Sequence, residues 1–192
     1  MAKDVLELLA SFGYEQAHIG GYSMGGAVTL GLLSRHPELF LSAHFGGAGI
    51  PETNEFADSI PPDPPGGDPE AKAAQSAYNA VQKERGAEVG NGAGTGASRI
   101  VERLRNMTDE QRAEMEKAQR ERADQIDLSK VTFPVLAVNG EFDGWRSKTH
   151  RMWRELPDFT NVVLPGKGHL SAVMPGFIPA AYIDAMVNFY NR

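Results

Sequence analysis

Apolar residues at Val5, Leu8, Leu9 and Phe12 repeat at the i, i+3, i+4, i+7 spacing of one helix face, with Asp4 and Glu7 placed as a capping pair and Gly13 as a stop. The pattern then changes. Ala17 to Gly21 reads as a short buried strand, and Gly26 to Leu33 as a helix that must end near Ser34-Arg35-His36-Pro37, because proline cannot continue it. Leu39 to Phe45 reads as a second strand. A helix between two strands predicts a parallel βαβ unit with a right-handed crossover. Further along, Pro134 to Gly140 is a buried strand, a helix follows around Ser147 to Leu156, and Asn161 to Leu164 is the next strand. A last helix places Ile183, Met186, Val187 and Tyr190 toward the sheet. No internal repeat is visible. The fold class is therefore α/β, a mainly parallel sheet of about four strands with flanking helices.

Between these two stretches the texture breaks. Ile60-Pro61-Pro62-Asp63-Pro64-Pro65-Gly66-Gly67-Asp68-Pro69 cannot be a helix or an inner strand and reads as a stiff loop. Pro69 to Arg85 looks helical and Ala-rich, Gly86 to Gly96 is a flexible glycine run, and Ser98 to Asn106 resumes helix with Ile100, Leu104 and Met107 on one side. Thr108 to Gln111 is a capping box opening a charged helix to about Gln125, with Glu116 and Arg120 at i, i+4. So few apolar residues lie on that helix that it should be mostly solvated. The domain reading is a core formed by residues 1–47 and 131–192, with residues 48–130 inserted as a helical cap or lid.

Composition narrows the setting. A chain of 192 residues with 41% hydrophobic content can bury one sizeable core. A formal charge of −6 and a pI near 5.4 argue against general attraction to nucleic acid or to an anionic membrane. The absence of cysteine excludes disulfides and thiolate chemistry. No apolar run reaches the length of a bilayer span, and Met1-Ala2-Lys3-Asp4 leads into an amphipathic helix instead of a signal peptide. A soluble, cytoplasmic protein is expected.

The chemistry concentrates around Gly21-Tyr22-Ser23-Met24-Gly25, a G-x-S-x-G sequence lying between the first strand and the second helix. An abrupt strand-to-helix turn holds its serine in a strained conformation, and glycines at 21 and 25 leave room for helix and strand to approach. The hydroxyl then points outward at a helix N-terminus, where the Met24 N–H can bind a developing oxyanion. Nucleotide readings fail. Gly20 to Gly26 lacks the Lys-Ser/Thr of a phosphate loop, and Gly92-Ala93-Gly94-Thr95-Gly96-Ala97 has no apolar strand before it. A serine nucleophile needs a base and an acid at the same sheet edge. His169 in Pro165-Gly166-Lys167-Gly168-His169 directly follows the last strand, and Asp143 in Gly140-Glu141-Phe142-Asp143 follows the preceding one. Glu141 is the second choice of acid, Asp158 lies at the wrong sheet edge, and His18, His36, His44 and His150 read as structural. No His or carboxylate pairs stand at metal-ligand spacing, so no metal or other cofactor is expected.

Taken together, Gly21-Tyr22-Ser23-Met24-Gly25-Gly26, Gly140-Glu141-Phe142-Asp143 and Gly168-His169 resemble the α/β-hydrolase superfamily, in its order Ser, Asp, His. The resemblance implies Ser23 as nucleophile, His169 as base, Asp143 as orienting acid and Met24 N–H as one oxyanion donor. It covers residues 1 to about 47 and about 131 to 192, with the insertion where that superfamily carries its cap. The superfamily normally has further strands before the opening helix, including the loop of the second oxyanion N–H, and nothing here corresponds to them. The fold is therefore a partial α/β-hydrolase fold.

The function expected is hydrolysis of small, uncharged carboxylic esters, with Tyr22, Met24 and Trp145 lining an apolar pocket beneath the cap. Amidase, lactonase, carbon–carbon bond hydrolase and perhydrolase activities share this triad. The alternative is a truncated hydrolase-like domain that serves as a binding or assembly module or needs a complementary chain. An unpaired first strand predicts a homodimer or such a chain.

Overall fold

The computed structural model describes residues 2–88 and 106–192. Four strands, β1 (Ala17–Tyr22), β2 (Phe40–Gly46), β3 (Val135–Gly140) and β4 (Phe159–Leu164), form one parallel sheet in the order β1-β2-β3-β4. All six residues of β3 are buried, as expected of an inner parallel strand covered on both faces. Side chains alternate across it: Val135 and Ala137 join a cluster with Leu32, Phe45, Ile50 and Met152, while Leu136 and Val138 join Leu164, Tyr182 and Phe189 on the other face. Each large side chain buried in this way contributes about 1.5–3 kcal/mol.

Helices α1 (Ala2–Phe12), α2 (Met24–Leu33), α5 (Trp145–Glu155) and α6 (Ala180–Tyr190) accompany the sheet, and α3 (Ala71–Glu88) and α4 (Asp109–Asp124) lie in the segment between β2 and β3. The expected capping box opens α4: Gln111 N–H donates to Thr108 Oγ1 and Thr108 N–H to Gln111 Oε1. Gly13, at φ +71, ends α1 as expected.

Several expectations change. Asp4 lies inside α1 and does not cap it, because the helix already begins at Ala2. Val5, Leu6 and Leu9 face the core, whereas Leu8 and Phe12 are exposed. In α6 the packing face is Tyr182, Ala185, Met186 and Phe189, and Ile183 and Val187 point outward, while Tyr190, half-exposed, sets its ring edge-on to His18 of β1. Both stripes are apolar, so periodicity could not choose between them, and the face carrying Tyr182 and Phe189 offers the sheet more apolar area to cover. Ile50, Ile126 and Leu128, assigned to the insertion, pack in the main core cluster, so both ends of that segment belong to the core. Gly86 continues α3 instead of starting a flexible run. The helix expected at Ser98 to Asn106 and the glycines from Gly92 to Gly96 fall outside the described residues, apart from Asn106 in a turn.

Among the described residues β1 pairs with β2 alone, so its other edge is open. A groove of about 500 Å³ runs along that edge between α1 and α2, lined by Val5, Leu9, Ile19, Met24 and Val28 among others.

Candidate active site

Ser23 has φ 53 and ψ −109 and is the one non-glycine residue with positive φ among those described. Such a conformation costs on the order of 1–3 kcal/mol and persists only where its surroundings impose it. Here Ser23 N–H donates to Gly46 O at the end of β2, and Ser23 O accepts from Ala27 N–H, so both flanks of the serine are fixed. A Cβ at Gly21 would lie 2.4 Å from the Gly25 carbonyl carbon, so Gly21 is what lets strand and helix close up. At Gly25 a Cβ would meet nothing within 4 Å, and the room expected to depend on it is not needed. The first N–H groups of α2, Met24 and Gly25 among them, precede the first intrahelical bond and are open to a ligand.

The loops after β3 and β4 complete the arrangement. His169 Nε2 lies 2.8 Å from Ser23 Oγ, and His169 Nδ1 lies 3.0 Å from each oxygen of Asp143. An ionised carboxylate can only accept, so Nδ1 carries the proton and the Nε2 lone pair faces the serine hydroxyl. The Asp143 side chain is 9% exposed and that of His169 39%, which leaves the carboxylate sheltered and the imidazole partly open to solvent.

The histidine loop is braced from several sides. Tyr22 hydroxyl donates to His169 O at 2.5 Å, and the two rings lie 5.3 Å apart. Burial, then the Asp143 charge, then Tyr182, push the Tyr22 phenol far above its usual range, so it remains a donor. Glu141, the alternative acid, accepts from Gly166 N–H and holds the loop instead of the imidazole. Ser171 accepts from Gly168 N–H and donates to Asp68, and a Cβ on Gly168 would fall 2.7 Å from the Asp68 carboxylate. Lys167 pairs with Glu70, and Arg146 donates to Pro62 O. Residues 62–70 therefore lie across the loops that carry Asp143 and His169. Asp143 has a further partner, the Lys148 ammonium, at 2.7 Å.

The three residues expected to line one pocket have different neighbours. Tyr22 turns toward His169 and Tyr182, Met24 lines the groove beside β1, and Trp145 begins α5 with Arg146 over its ring. The remaining histidines are engaged elsewhere: His18 with Ser42, His36 with Glu38, His44 with Tyr182, and His150 with Glu52. Asp158 pairs with Arg192 at the opposite end of β4. Sequence reasoning missed Lys148, Asp68 and Ser171; the five-residue step from Asp143 to Lys148, one helical turn into α5, was the one available signal.

The sequence model of the α/β hydrolase fold family matches residues 1–171. The chain belongs to that family. Similar solved structures include an α/β-hydrolase enzyme from the metagenome of lagoon sediments at Mar Chica, Morocco, with 18% identity, TM-score 0.54, and coverage of 99% of this chain and 68% of that one. A serine hydrolase from Cycloclasticus zankles matches with 24% identity, TM-score 0.52, and coverage of 99% and 69%. A thermophilic esterase from Thermogutta terrifontis matches with 19% identity, TM-score 0.52, and coverage of 99% and 70%. At these identities the likeness is one of fold. No match was found among curated proteins. Family membership supports a hydrolase as the class of enzyme. Among the described residues no three His, Asp or Glu side chains could hold a metal ion, and no helix is long and apolar enough to cross a membrane.

Proposed function

We propose that this α/β hydrolase is a cytoplasmic serine esterase that cleaves small, uncharged carboxylic esters through an acyl-enzyme. The observation that carries the reading is the unbroken chain from Ser23 Oγ through His169 to Asp143, at 2.8 and 3.0 Å, on a serine held at positive φ. His169 Nε2 takes the serine proton as Oγ attacks the ester carbonyl, and Asp143 stabilises the imidazolium. The oxyanion settles against Met24 N–H at the positive end of α2. Collapse expels the alcohol, which receives the proton from His169; water then repeats the sequence and releases the acid. We read the part of residues 48–130 that lies between its two core-packed ends as a cap, because the loop before α3 lies across both catalytic loops and restricts what enters. The Lys148 cation is engaged by Asp143 and not offered to an anionic substrate, which favours an uncharged ester.

A fluorophosphonate probe should form an adduct mapped to Ser23, and short-chain p-nitrophenyl esters should be turned over by wild type and not by Ser23→Ala. An adduct elsewhere, or full activity in Ser23→Ala, refutes the proposal. The second reading, a hydrolase-like domain that works with another chain, is favoured by the open edge of β1 and the groove beside it. A partner strand there, from a second copy or a complementary chain, would make specific activity fall on dilution. Constant specific activity from a 20.8 kDa monomer would exclude that dependence.

A further inference from the structure

The carboxylate that orients His169 is shared. Asp143 Oδ1 lies 3.0 Å from the imidazole Nδ1 and 2.7 Å from Lys148 Nζ, and among the described residues Lys148 is the one cation in contact with it. The lysine is held in place by its helix. A Cβ on Gly49 would fall 2.1 Å from Lys148 O, so α5 is pressed against the chain at that point. The residues that follow are equally fixed: Thr149 is fully buried, His150 is bound to Glu52, and Arg151 donates to Ala123 O and Ile126 O. Only a quarter of the Lys148 side chain is exposed, so water screens the contact incompletely.

We propose that Lys148 is a positioning residue that sets the proton affinity of His169 through Asp143. Its charge offsets part of the negative charge that would stabilise the imidazolium, and so keeps the base neutral to lower pH. The proposal deepens the serine-hydrolase reading and rests on it for its catalytic consequence. The other ionisable groups around the loop are otherwise engaged. Tyr22 on β1 donates to His169 O, Glu141 accepts from Gly166 N–H, and Asp68 accepts from Ser171 and from Glu70 N–H. Lys167 pairs with Glu70, and Asp63 reaches toward Gly144. None of these is hydrogen-bonded to or ion-paired with the Asp143 carboxylate, although its charge reaches the Tyr22 phenol.

The test is the NMR titration of the His169 ring in wild type, Lys148→Met, Lys148→Gln and Lys148→Arg, which needs no turnover. The neutral variants should protonate at higher pH than wild type, and Lys148→Arg should stay with wild type. In the ester assay the acidic limb of kcat/KM should move upward by the same amount. Two neutral substitutions guard against one that fails to fold. If both titrate with wild type, the proposal is overturned; a purely structural ion pair predicts that result, with a change in thermal stability alone. Failure of fluorophosphonate to label Ser23 while the titration still depends on Lys148 would overturn the hydrolase reading and leave this one standing.

Discussion

His44 offers a quantitative test of how the sheet's second face is packed. Its side chain is almost wholly buried on β2, with Nε2 3.5 Å from the Tyr182 hydroxyl and the two rings edge to face. Burial lowers the imidazole from its ordinary value of 6.5 to about 4, because the charged form would lose its water without gaining an anionic partner. The unfolded chain takes up this proton near 6.5 and the folded chain only near 4. Between those values the unfolded state binds more protons, so stability is full above about pH 6.5 and falls as the pH drops toward 4. Integration from pH 7 to pH 5 with these two values gives a loss of about 2 kcal/mol, a sizeable part of the 5–15 kcal/mol typical of a domain. Glu52 acts in a lower window. Burial pushes its carboxyl up, but bonds from Arg154, His150 and Thr53 outweigh that and hold it below 4.5, so its contribution is present above that value and lost as pH falls through the folded one. Urea unfolding at pH 5, 6 and 7 should show wild type losing about 2 kcal/mol more than His44→Gln over this range, whatever the variant costs at pH 7. Equal losses in the two proteins would refute the argument.

Tyr22→Phe deletes the hydroxyl bonded to His169 O and keeps the ring; it should cost about 1 kcal/mol of stability and lower kcat with little change in KM. An unchanged kcat in the ester assay would remove Tyr22 from the positioning of the base. Gly21→Ala forces a Cβ into the Gly25 backbone and should cost about 1–3 kcal/mol or more, with loss of fluorophosphonate labelling at Ser23, whereas Gly25→Ala should keep both fold and labelling. Thermal melts and labelling that treat the two alanines alike would contradict the close approach at Gly21.

The fold was legible where local periodicity and chain-ending residues agreed. Each of the four expected strands exists, displaced by no more than two residues at an end; the inner strand β3, buried on both faces, is the most uniformly apolar, and the edge strands β1 and β4 are only partly buried. Helix faces were less legible. In α6 two apolar stripes compete, and the choice of Tyr182 and Phe189 depends on the space the sheet leaves, which no local pattern encodes. In α1 the face turned by one position for the same reason, with Leu6 inward and Leu8 outward. The return of Ile126 and Leu128 to the core was hidden by their charged neighbours, since single buried residues in a loop and at the start of a short 3₁₀ turn show no period.

The candidate site divides along the same line. Ser23, Asp143 and His169 could be singled out because each follows a strand, and parallel strands deliver their following loops to one edge, where the three side chains are hydrogen-bonded in a chain. The supporting residues are set by contacts across the fold. Asp68 reaches Ser171 across more than a hundred residues, and its role depends on a proline-rich loop whose path composition cannot give. Tyr22 was expected to face substrate because it neighbours the serine. Its hydroxyl instead finds the carbonyl of His169, a contact across the fold that the local sequence does not show. Lys148 was the nearest to legible, since Asp143 ends one loop and α5 starts two residues later. Its contact with Asp143 depends on how α5 packs, which the local pattern does not give. There the backbone of Lys148 lies close against Gly49 and its ammonium reaches Asp143.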